Sequence, residues 1–339
     1  LTARAYGVQV TEFGFGFPPR LFGIKRGETL YSINLIPLGG FVRMVGENDP
    51  THPRSLAGKS IFQRFVVIFA GAFMNALLPV VIFSTLFMVP QQTVVGQVQI
   101  QGVAPGSPAD QAGLRAGDVV SRVDGHPIRS VNELSSRIHM RLGSEMEWVV
   151  RRGSSLPGMG TSPELATNEI VRVVPRWNPP EKQGPTGITI GLVNARVESR
   201  SYPFWEAIPK GVSKLGDTLV LAKNEVERWI VGGAAPQVAG PIGIAQITGE
   251  VAKSGIIPLL ELAAFLSINL AILNVLPLPM LDGGRLLFLG IEWVRRGKRI
   301  PPEREGFVHM VGFAVLIALV VVISYFDILR IVRGESLFK

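Results

Sequence analysis

A carboxylate and several helix-breaking residues stand together in the stretch NVLPLPMLDGG, residues 274–284. Asp282 follows two prolines and directly precedes two glycines, at the end of a long apolar run. An ionisable residue inside a membrane-spanning segment is costly, and by default it suggests function. Proline removes a backbone donor and glycine loosens a helix, so the pattern predicts an unwound segment. Unwound backbone at membrane depth must be buried in protein or line a water-filled cavity.

The residues alone leave the role of Asp282 open. In a polar cavity its carboxylate fits a metal ligand, a proton relay or one member of an ion pair. Alternatively, Asp282 lies at the membrane interface and caps the following helix, RLLFLGIEWV.

Three apolar runs are long enough to cross about 30 Å of hydrocarbon. They cover residues 65–89, 256–281 and 307–326, in a chain of 339 residues that is 47% hydrophobic and 18% charged. This composition is too apolar for an ordinary soluble protein. The sequence therefore predicts an α-helical integral membrane protein.

The basic residues indicate how the chain is oriented. The formal net charge is +8, and many Lys and Arg residues flank the apolar runs. Short loops rich in these residues stay cytoplasmic, whereas long loops cross largely regardless of charge. Residues 1–64 and 285–306 are therefore expected inside and 90–255 outside, with membrane lipid rather than nucleic acid as the partner. The chain has no cysteine, which excludes disulfides and thiol chemistry.

The stretches between the apolar runs have different compositions. Residues 9–44 mix apolar and polar side chains with Gly and Pro, which predicts short strands and turns. Residues 93–175 resemble a small soluble domain of strands and two short helices in composition. Residues 176–203, with several Pro and Gly, are predicted to be a linker.

An apolar face recurs every three or four residues from Phe204 to Trp229. It predicts an amphipathic helix whose regular part begins near Pro209, because proline favours the first helical turn. Two placements stay open for this helix, one at a membrane surface and one packed on the soluble domain.

The segment SPADQAGLRAGDVVSRVDGHPI, residues 107–128, closely resembles a circularly permuted bacterial PDZ domain. The resemblance implies binding of an extended peptide as an added strand, with backbone amides capturing a terminal carboxylate. It places the peptide groove near Val95, Gly96, Gln97 and Val98. The alternative is a degenerate domain that acts only as a steric filter.

The pattern N-x-x-P-x-P-x-L-D-G-G resembles a signature of the site-2 protease family of intramembrane zinc metalloproteases. The match is closest to the bacterial branch that contains the regulator of sigma-E protease. Other segments resemble family elements in the same order, from an active-site helix and a membrane-reentrant β-loop to a second span and the PDZ domain. They read TARAYGVQV, EFGFGFPPRLF, YSINLIPLGGFVRM, QRFVVIFAGAFMN and GPIGIAQ.

In this family two histidines of an H-E-x-x-H helix and the aspartate of the L-D-G motif hold zinc. The resemblance therefore implies Zn²⁺ as cofactor and Asp282 as its third protein ligand. Three protein ligands leave a fourth position for water, whose pKa zinc lowers to about 7, and the glutamate takes its proton. Asn274 matches a family asparagine that hydrogen-bonds the substrate backbone. The alternative for Asn274 is an interhelical hydrogen bond.

This sequence contains no H-E-x-x-H, so no catalytic residue is visible. Its four histidines are His52, His126, His139 and His309, and none is expected to supply a missing ligand. The family motif would stand just before LTARAYGV, so an N-terminally truncated sequence is expected, with a fourth span missing. Real loss of the motif is the alternative. Ala72, where the family usually has proline, is a smaller departure.

The predicted fold is therefore three visible membrane spans with a reentrant β-loop and an inserted α+β PDZ domain. The expected parts are 1–64, the end of the first active-site helix with the β-loop and a cytoplasmic link; 65–89, a span; 93–175, the PDZ domain; 176–255, a linker and amphipathic helix; 256–284, a span with the L-D-G motif; 285–306, a cytoplasmic link; 307–326, a span; and 327–339, a tail.

The predicted function is intramembrane proteolysis by a zinc metalloprotease of the bacterial inner membrane. Its expected partners are single-pass membrane substrates, an anti-sigma factor among them, with the PDZ domain on the exoplasmic side. An inactive PDZ-containing membrane scaffold is the first alternative. A transporter with Asp282 as its ion site is another, although no second broken helix supports it.

Overall fold

The computed structural model describes residues 1–47, 49–152, 167–180, 183–232 and 239–333. The chain divides into two compact units. Unit 1 comprises Leu1–Pro79 and Ala239–Lys339, and unit 2 comprises Val80–Val238.

Unit 1 is a helical unit with one β-hairpin. Its elements in chain order are α1 (Thr2–Ala5), β1 (Val10–Arg26), β2 (Thr29–Met44), most of α2 (Ile61–Met88), α6 (Pro241–Lys253), α7 (Ile256–Val275), α8 (Asp282–Val294) and α9 (Pro302–Val332).

Three described helices are long and apolar enough to cross a membrane, namely α2, α7 and α9. At 1.5 Å per residue they extend over roughly 30 to 45 Å, which meets the requirement of the hydrocarbon core. Helix α9 contains the predicted run 307–326, and α2 covers 65–88, whereas α7 ends at Val275, before the end of the run 256–281. The prediction of an integral membrane protein is confirmed. The predicted tail at 327–339 begins inside α9, and residues 334–339 lie outside the described residues.

The structure corrects the prediction for residues 9–44. Instead of short strands, β1 and β2 form one long antiparallel hairpin with repeated register shifts. The glycines and prolines interrupt the register without ending the strands. Glu12 is buried and accepts a 2.8 Å hydrogen bond from the Ser32 hydroxyl, whereas many apolar side chains of the hairpin are exposed.

Unit 2 is built around a six-stranded antiparallel sheet. Its elements are β3 (Gln91–Val103), α3 (Pro108–Gln111), β4 (Val119–Val123), β5 (His126–Pro127), α4 (Val131–Met140), β6 (Met146–Arg152), β7 (Thr167–Val173), β8 (Ile188–Arg200) and α5 (Phe204–Gly232). The main path of the sheet is β7-β6-β4-β3-β8, with β5 paired to β4. This mixture of strands and short helices is consistent with a PDZ-like domain.

The core of the sheet domain is formed by apolar residues of β3, β4, β6, β7 and α4. Trp148 of β6 and Leu134 of α4 are fully buried in it. Ser130 caps α4 by accepting a hydrogen bond from the Glu133 amide at 3.1 Å. The cap fixes where α4 begins, and Leu134 then faces the sheet.

Replacing Leu134 with alanine is expected to destabilise the sheet domain by about 2–5 kcal/mol, because it opens a cavity in a closely packed core. Ile170→Ala is the matched control, since Ile170 is 65% exposed on β7 and its loss should cost under about 0.5 kcal/mol. The measurement is the urea concentration at which region 91–200 of the full chain loses protease resistance. Equal midpoints for the two variants would contradict the assignment of this core.

Two further sequence predictions need correction. Residues 176–203 were expected to be a linker, but 188–200 form β8, which pairs with β3 along most of its length. The alternating residues of ITIGLVNARVESR suit a strand once β3 offers an edge. Helix α5 begins at Phe204 and not near Pro209, because amides of Glu206 and Ala207 close the first turn onto the Pro203 carbonyl.

Helix α5 packs partly on the sheet domain. The Asn224 side chain is buried and donates a 2.9 Å hydrogen bond to the His139 carbonyl at the end of α4. Other apolar residues of α5, including Trp205, Ile208 and Val212, are exposed within the described residues. The helix thus makes the contact expected for one placement and keeps the exposed apolar face expected for the other.

Candidate active site

The predicted break in the membrane helix is present. Helix α7 ends at Val275 and α8 begins at Asp282, and residues 276–281 between them form no regular helix. We call residues 276–281 the linking loop. Backbone hydrogen bonds such as Leu278 to Leu276 at 2.7 Å tighten it, and Met280 adopts a left-handed φ of 76°. The two prolines of the sequence pattern lie within this loop.

Two glycines allow α8 to pack directly on the linking loop. A Cβ atom on Gly283 would overlap the Leu276 carbonyl, and one on Gly284 would overlap the Leu278 carbonyl oxygen. The obstacles are backbone atoms, which cannot rotate away as a side chain can. This close approach explains why two glycines follow the aspartate.

Asp282 occupies the first helical position of α8 and is partly buried. Leu281 is the N-cap, and no side-chain hydrogen bond caps the helix, so the capping alternative lacks its defining contact. Among the described residues, the Asp282 carboxylate forms neither a hydrogen bond nor an ion pair. A helix N-terminus favours a nearby negative charge, and Asp282 lies at the N-terminus of α8.

Helix α2 contributes a close neighbour to Asp282. A Cβ atom on Gly71 would lie 3.1 Å from the Asp282 Oδ2 atom. One turn further along α2, the Asn75 carbonyl accepts a 2.8 Å hydrogen bond from the Ser267 hydroxyl of α7. Small or backbone groups of α2 therefore face the broken helix and leave space beside the carboxylate.

Asn274 lies at the other end of the break, in the last turn of α7. It is partly buried, and its side chain makes no hydrogen bond among the described residues. The interhelical hydrogen bond that was its alternative role is thus not found there. Asn274 and Asp282 flank the same linking loop, as the sequence pattern requires.

The histidines fall into two groups. The ring nitrogens of His126 and His139 contact backbone oxygens of the sheet domain, and His52 accepts from the Arg54 amide. His309 of α9, by contrast, accepts a 2.8 Å hydrogen bond from the Met280 amide of the linking loop. Sequence reasoning missed this contact, although an ionisable residue in an apolar span was a usable signal.

The donor set does not complete a zinc site. Within the described ranges, no three His, Cys, Asp or Glu side chains are grouped so that they could hold a metal ion. Protein zinc sites in proteases use three protein ligands. The unpaired, partly buried carboxylate of Asp282 fits one of these three ligands. Asp282 alone does not hold zinc, because two ligands are missing.

An ion-pair network joins α2 to α8 near the start of α2. Arg64 donates to Glu292 at 2.6 Å, and Arg299 approaches the same oxygen at 3.3 Å. Burial alone would raise the pKa of Glu292, but the hydrogen bonds and charges of Arg64 and Arg299 outweigh it and hold the pKa below its usual value. The network therefore fixes α8, and with it the position of Asp282, against α2.

Replacing Arg64 with methionine is expected to destabilise the full protein by roughly 3 kcal/mol at pH 7, because it leaves Glu292 buried without its main partner. The lowered pKa of Glu292 means that its stabilising effect is full above about pH 4.3 and is lost as the pH falls through the folded-state pKa. The thermal midpoints of wild type and variant should thus converge in acid.

Arg54→Met is the control, because the Arg54–Glu28 pair is exposed on both sides and its loss should leave stability nearly unchanged. A difference between wild type and Arg64→Met that persists unchanged from pH 7 to pH 3 would contradict the role of ionised Glu292.

The predicted peptide-groove residues lie on an inner strand. In β3, Val95 pairs with Arg196 and Val98 pairs with Leu192, both in β8. The Gly96 amide donates to the Arg129 carbonyl at 2.8 Å. In the described sheet β8 is the end strand next to β3, so the predicted residues of β3 do not lie at an edge of the sheet.

The fold and the site define a multi-pass membrane protein with a broken helix, an unpaired carboxylate at the break and an inserted β-sheet domain. Peptidase family M50 matches residues 1–319, and the chain belongs to this family, the site-2 protease family. The resemblance noted in the sequence is therefore confirmed.

Three relatives illustrate the similarity. A protein of Clostridium perfringens (strain 13 / Type A), whose name assigns it provisionally to the zinc metalloproteases, is 34% identical over 97% of this chain and 92% of its own length. Zinc metalloprotease RasP of Geobacillus kaustophilus is 30% identical over 97% of this chain and 92% of its own length. Regulator of sigma-W protease RasP of Bacillus subtilis is 29% identical over 98% of this chain and 94% of its own length.

Proposed function

We propose that this chain acts in an intramembrane zinc metalloprotease of the site-2 type, with Asp282 as a zinc ligand and Asn274 as a substrate-binding residue. The observation that carries the proposal is the unpaired Asp282 carboxylate at a helix break, in a chain that matches a peptidase family over residues 1–319. The relatives' names support proteolysis and give no support to the scaffold alternative.

Zinc is the metal named for the relatives, and it is the cofactor proposed here. When bound, zinc supplies a water molecule of lowered pKa and polarises the peptide carbonyl. The proposal requires two further ligands and a general base, and the 339 residues contain no H-E-x-x-H motif that would supply them. What this chain contributes is a carboxylate at the start of α8, next to Gly71 of α2.

Asn274 is proposed to hold the substrate backbone next to Asp282. Its side-chain amide carries both donor and acceptor groups, and neither is used by a described residue. A substrate helix must unwind before it is cut, and its freed backbone groups then need partners inside the membrane. An amide at the edge of the linking loop supplies one such partner.

The β1–β2 hairpin is proposed to be the membrane-reentrant loop that pairs with unwound substrate. Its exposed apolar side chains, including Phe15, Phe22 and Ile24, suit contact with lipid or with an apolar substrate segment. An added strand would give the substrate backbone its hydrogen bonds.

The sheet domain is proposed to be a PDZ domain that filters substrates by size or binds a newly formed C-terminus. The peptide groove stays proposed near Val95, Gly96 and Val98 of β3, the strand that lies between β4 and β8 in the sheet. The domain is proposed to lie on the exoplasmic side of the bacterial inner membrane, since Lys- and Arg-rich short segments flank the spans on the other side.

The proposed substrates are single-pass membrane proteins, cut within or near their spans after a first cleavage. One relative is named as a regulator of sigma-W protease, and an anti-sigma factor is a substrate of matching chemistry. The proposal is tested with protein made from the complete coding sequence in membranes containing a single-pass reporter. Cleavage that stops with o-phenanthroline and returns with Zn²⁺ supports it. Chelator-insensitive cleavage, or none with a panel of shortened single-pass reporters, would refute it.

A further inference from the structure

His309 makes a direct contact with the linking loop, although it lies on a different helix. Its Nδ1 atom accepts the Met280 amide proton at 2.8 Å, and its side chain is only 14% exposed. Met280 is two residues before Asp282 and adopts a left-handed φ of 76°, which residues with a Cβ atom seldom do. The hydrogen bond therefore fixes the loop at its least favourable residue.

The surroundings of the ring fix which nitrogen accepts. A nitrogen that accepts must be unprotonated, so the proton of the neutral ring is on Nε2. Nε2 is buried, makes no hydrogen bond among the described residues and lies 3.8 Å from Glu305 Oε1, one turn earlier in α9. The Phe288 ring packs against the imidazole with centroids 5.5 Å apart. These contacts on several sides hold the ring in the orientation that accepts from Met280.

A second residue on the same face of α9 shows how closely this helix approaches the loop. A Cβ atom on Gly312 would overlap the Pro279 Cβ atom and would lie 3.2 Å from the Pro279 carbonyl carbon. Residues three apart share a helix face, so His309 and Gly312 contact the linking loop together. Within the described residues, α9 thus contacts the linking loop through one hydrogen-bond acceptor, His309 Nδ1, and one residue without a side chain, Gly312.

We infer that His309 is a positioning residue for the proposed cleavage, acting through the Met280 amide to hold the linking loop and so to fix Asp282 relative to Asn274. Its effect on cleavage rests on the proposed function. Its effect on the loop does not, because the hydrogen bond and the packing of Gly312 on Pro279 stand on geometry alone.

The test compares His309→Asn with His309→Leu in the full-length protein. The asparagine and leucine side chains have nearly the same shape, but only asparagine keeps a hydrogen-bond acceptor close to the position of the His309 Nδ1 atom. Hydrogen–deuterium exchange is followed in peptides covering residues 276–281. His309→Leu should speed exchange about five- to tenfold, the effect of one lost hydrogen bond, whereas His309→Asn should stay close to wild type. On a single-pass reporter, kcat should fall at least about tenfold for His309→Leu with little change in KM.

Exchange and cleavage separate the two proposals. If no protein cleaves the reporter, the wild type included, the protease proposal fails, and exchange still decides the role of His309. Unchanged exchange in His309→Leu, or equal acceleration in His309→Asn, would overturn the positioning role. Should His309→Leu fail to assemble, His309→Gln replaces it, because Gln carries its acceptor one bond further out. Faster exchange in His309→Gln than in His309→Asn then supports the inference, and equal exchange overturns it.

Discussion

The Asp282→Asn variant of the complete protein is expected to lose its zinc and its ability to cut a membrane substrate while still folding in the membrane. Asparagine keeps the shape of the side chain but removes the charge that makes aspartate a zinc ligand. The native carboxylate makes no hydrogen bond or ion pair among the described residues, so the change breaks no internal contact. The measurements are zinc per protein after purification, cleavage of a single-pass reporter, and the thermal midpoint.

Glu261→Gln is the matched control for this prediction. Glu261 is the other acidic residue of the same apolar run, but it lies on an exposed part of α7 far along the helix from the break. Its amide variant should keep wild-type zinc content and cleavage. If Asp282→Asn also keeps both, Asp282 is not a ligand and the proposed site is wrong. A variant that loses zinc only because it unfolds would show a lowered midpoint, which the structure does not predict.

The membrane spans and the helix break could be predicted from sequence because the physics that produces them is local. A long run without charges can only be placed in lipid or in a core, and two closely spaced prolines disfavour a continuous helix. Asp282 and Asn274 were identified by the same local pattern. The structure adds that both side chains are unpaired within its described part.

The predictions that failed depended on contacts between distant segments. Strand β8 was not predicted because its pairing with β3 joins residues 85 to 109 positions apart, and flanking Pro and Gly suggested a linker. An inner strand and an edge strand also read alike in sequence, so the pattern could not show that β8 lies beside the predicted groove residues of β3. The contact of His309 with the linking loop was not predicted, because its partner is a backbone amide, and backbone groups carry no residue-specific signal.

Replacing Gly283 with alanine is expected to reduce cleavage by about 100-fold, although alanine favours a helix over glycine by about 1 kcal/mol. A Cβ atom at this position would overlap the Leu276 carbonyl and lie 2.6 Å from the Val275 carbonyl oxygen. These are backbone atoms at the end of α7, so relief requires the linking loop or α8 to shift by about 1 Å, and displacements of that size cost about this much rate. The measurement is kcat/KM on a single-pass reporter, together with exchange in residues 276–281.

Gly290→Ala provides the control within the same helix. A Cβ atom there meets nothing within 4 Å, so the variant should cleave like wild type and be slightly more stable. The two substitutions add the same methyl group to α8 and differ only in what that group meets. If Gly283→Ala cleaves as well as Gly290→Ala, the close packing of α8 on the linking loop is not needed to place Asp282. A large loss in Gly283→Ala alone would show that the loop geometry, and not helix propensity, positions the carboxylate for catalysis.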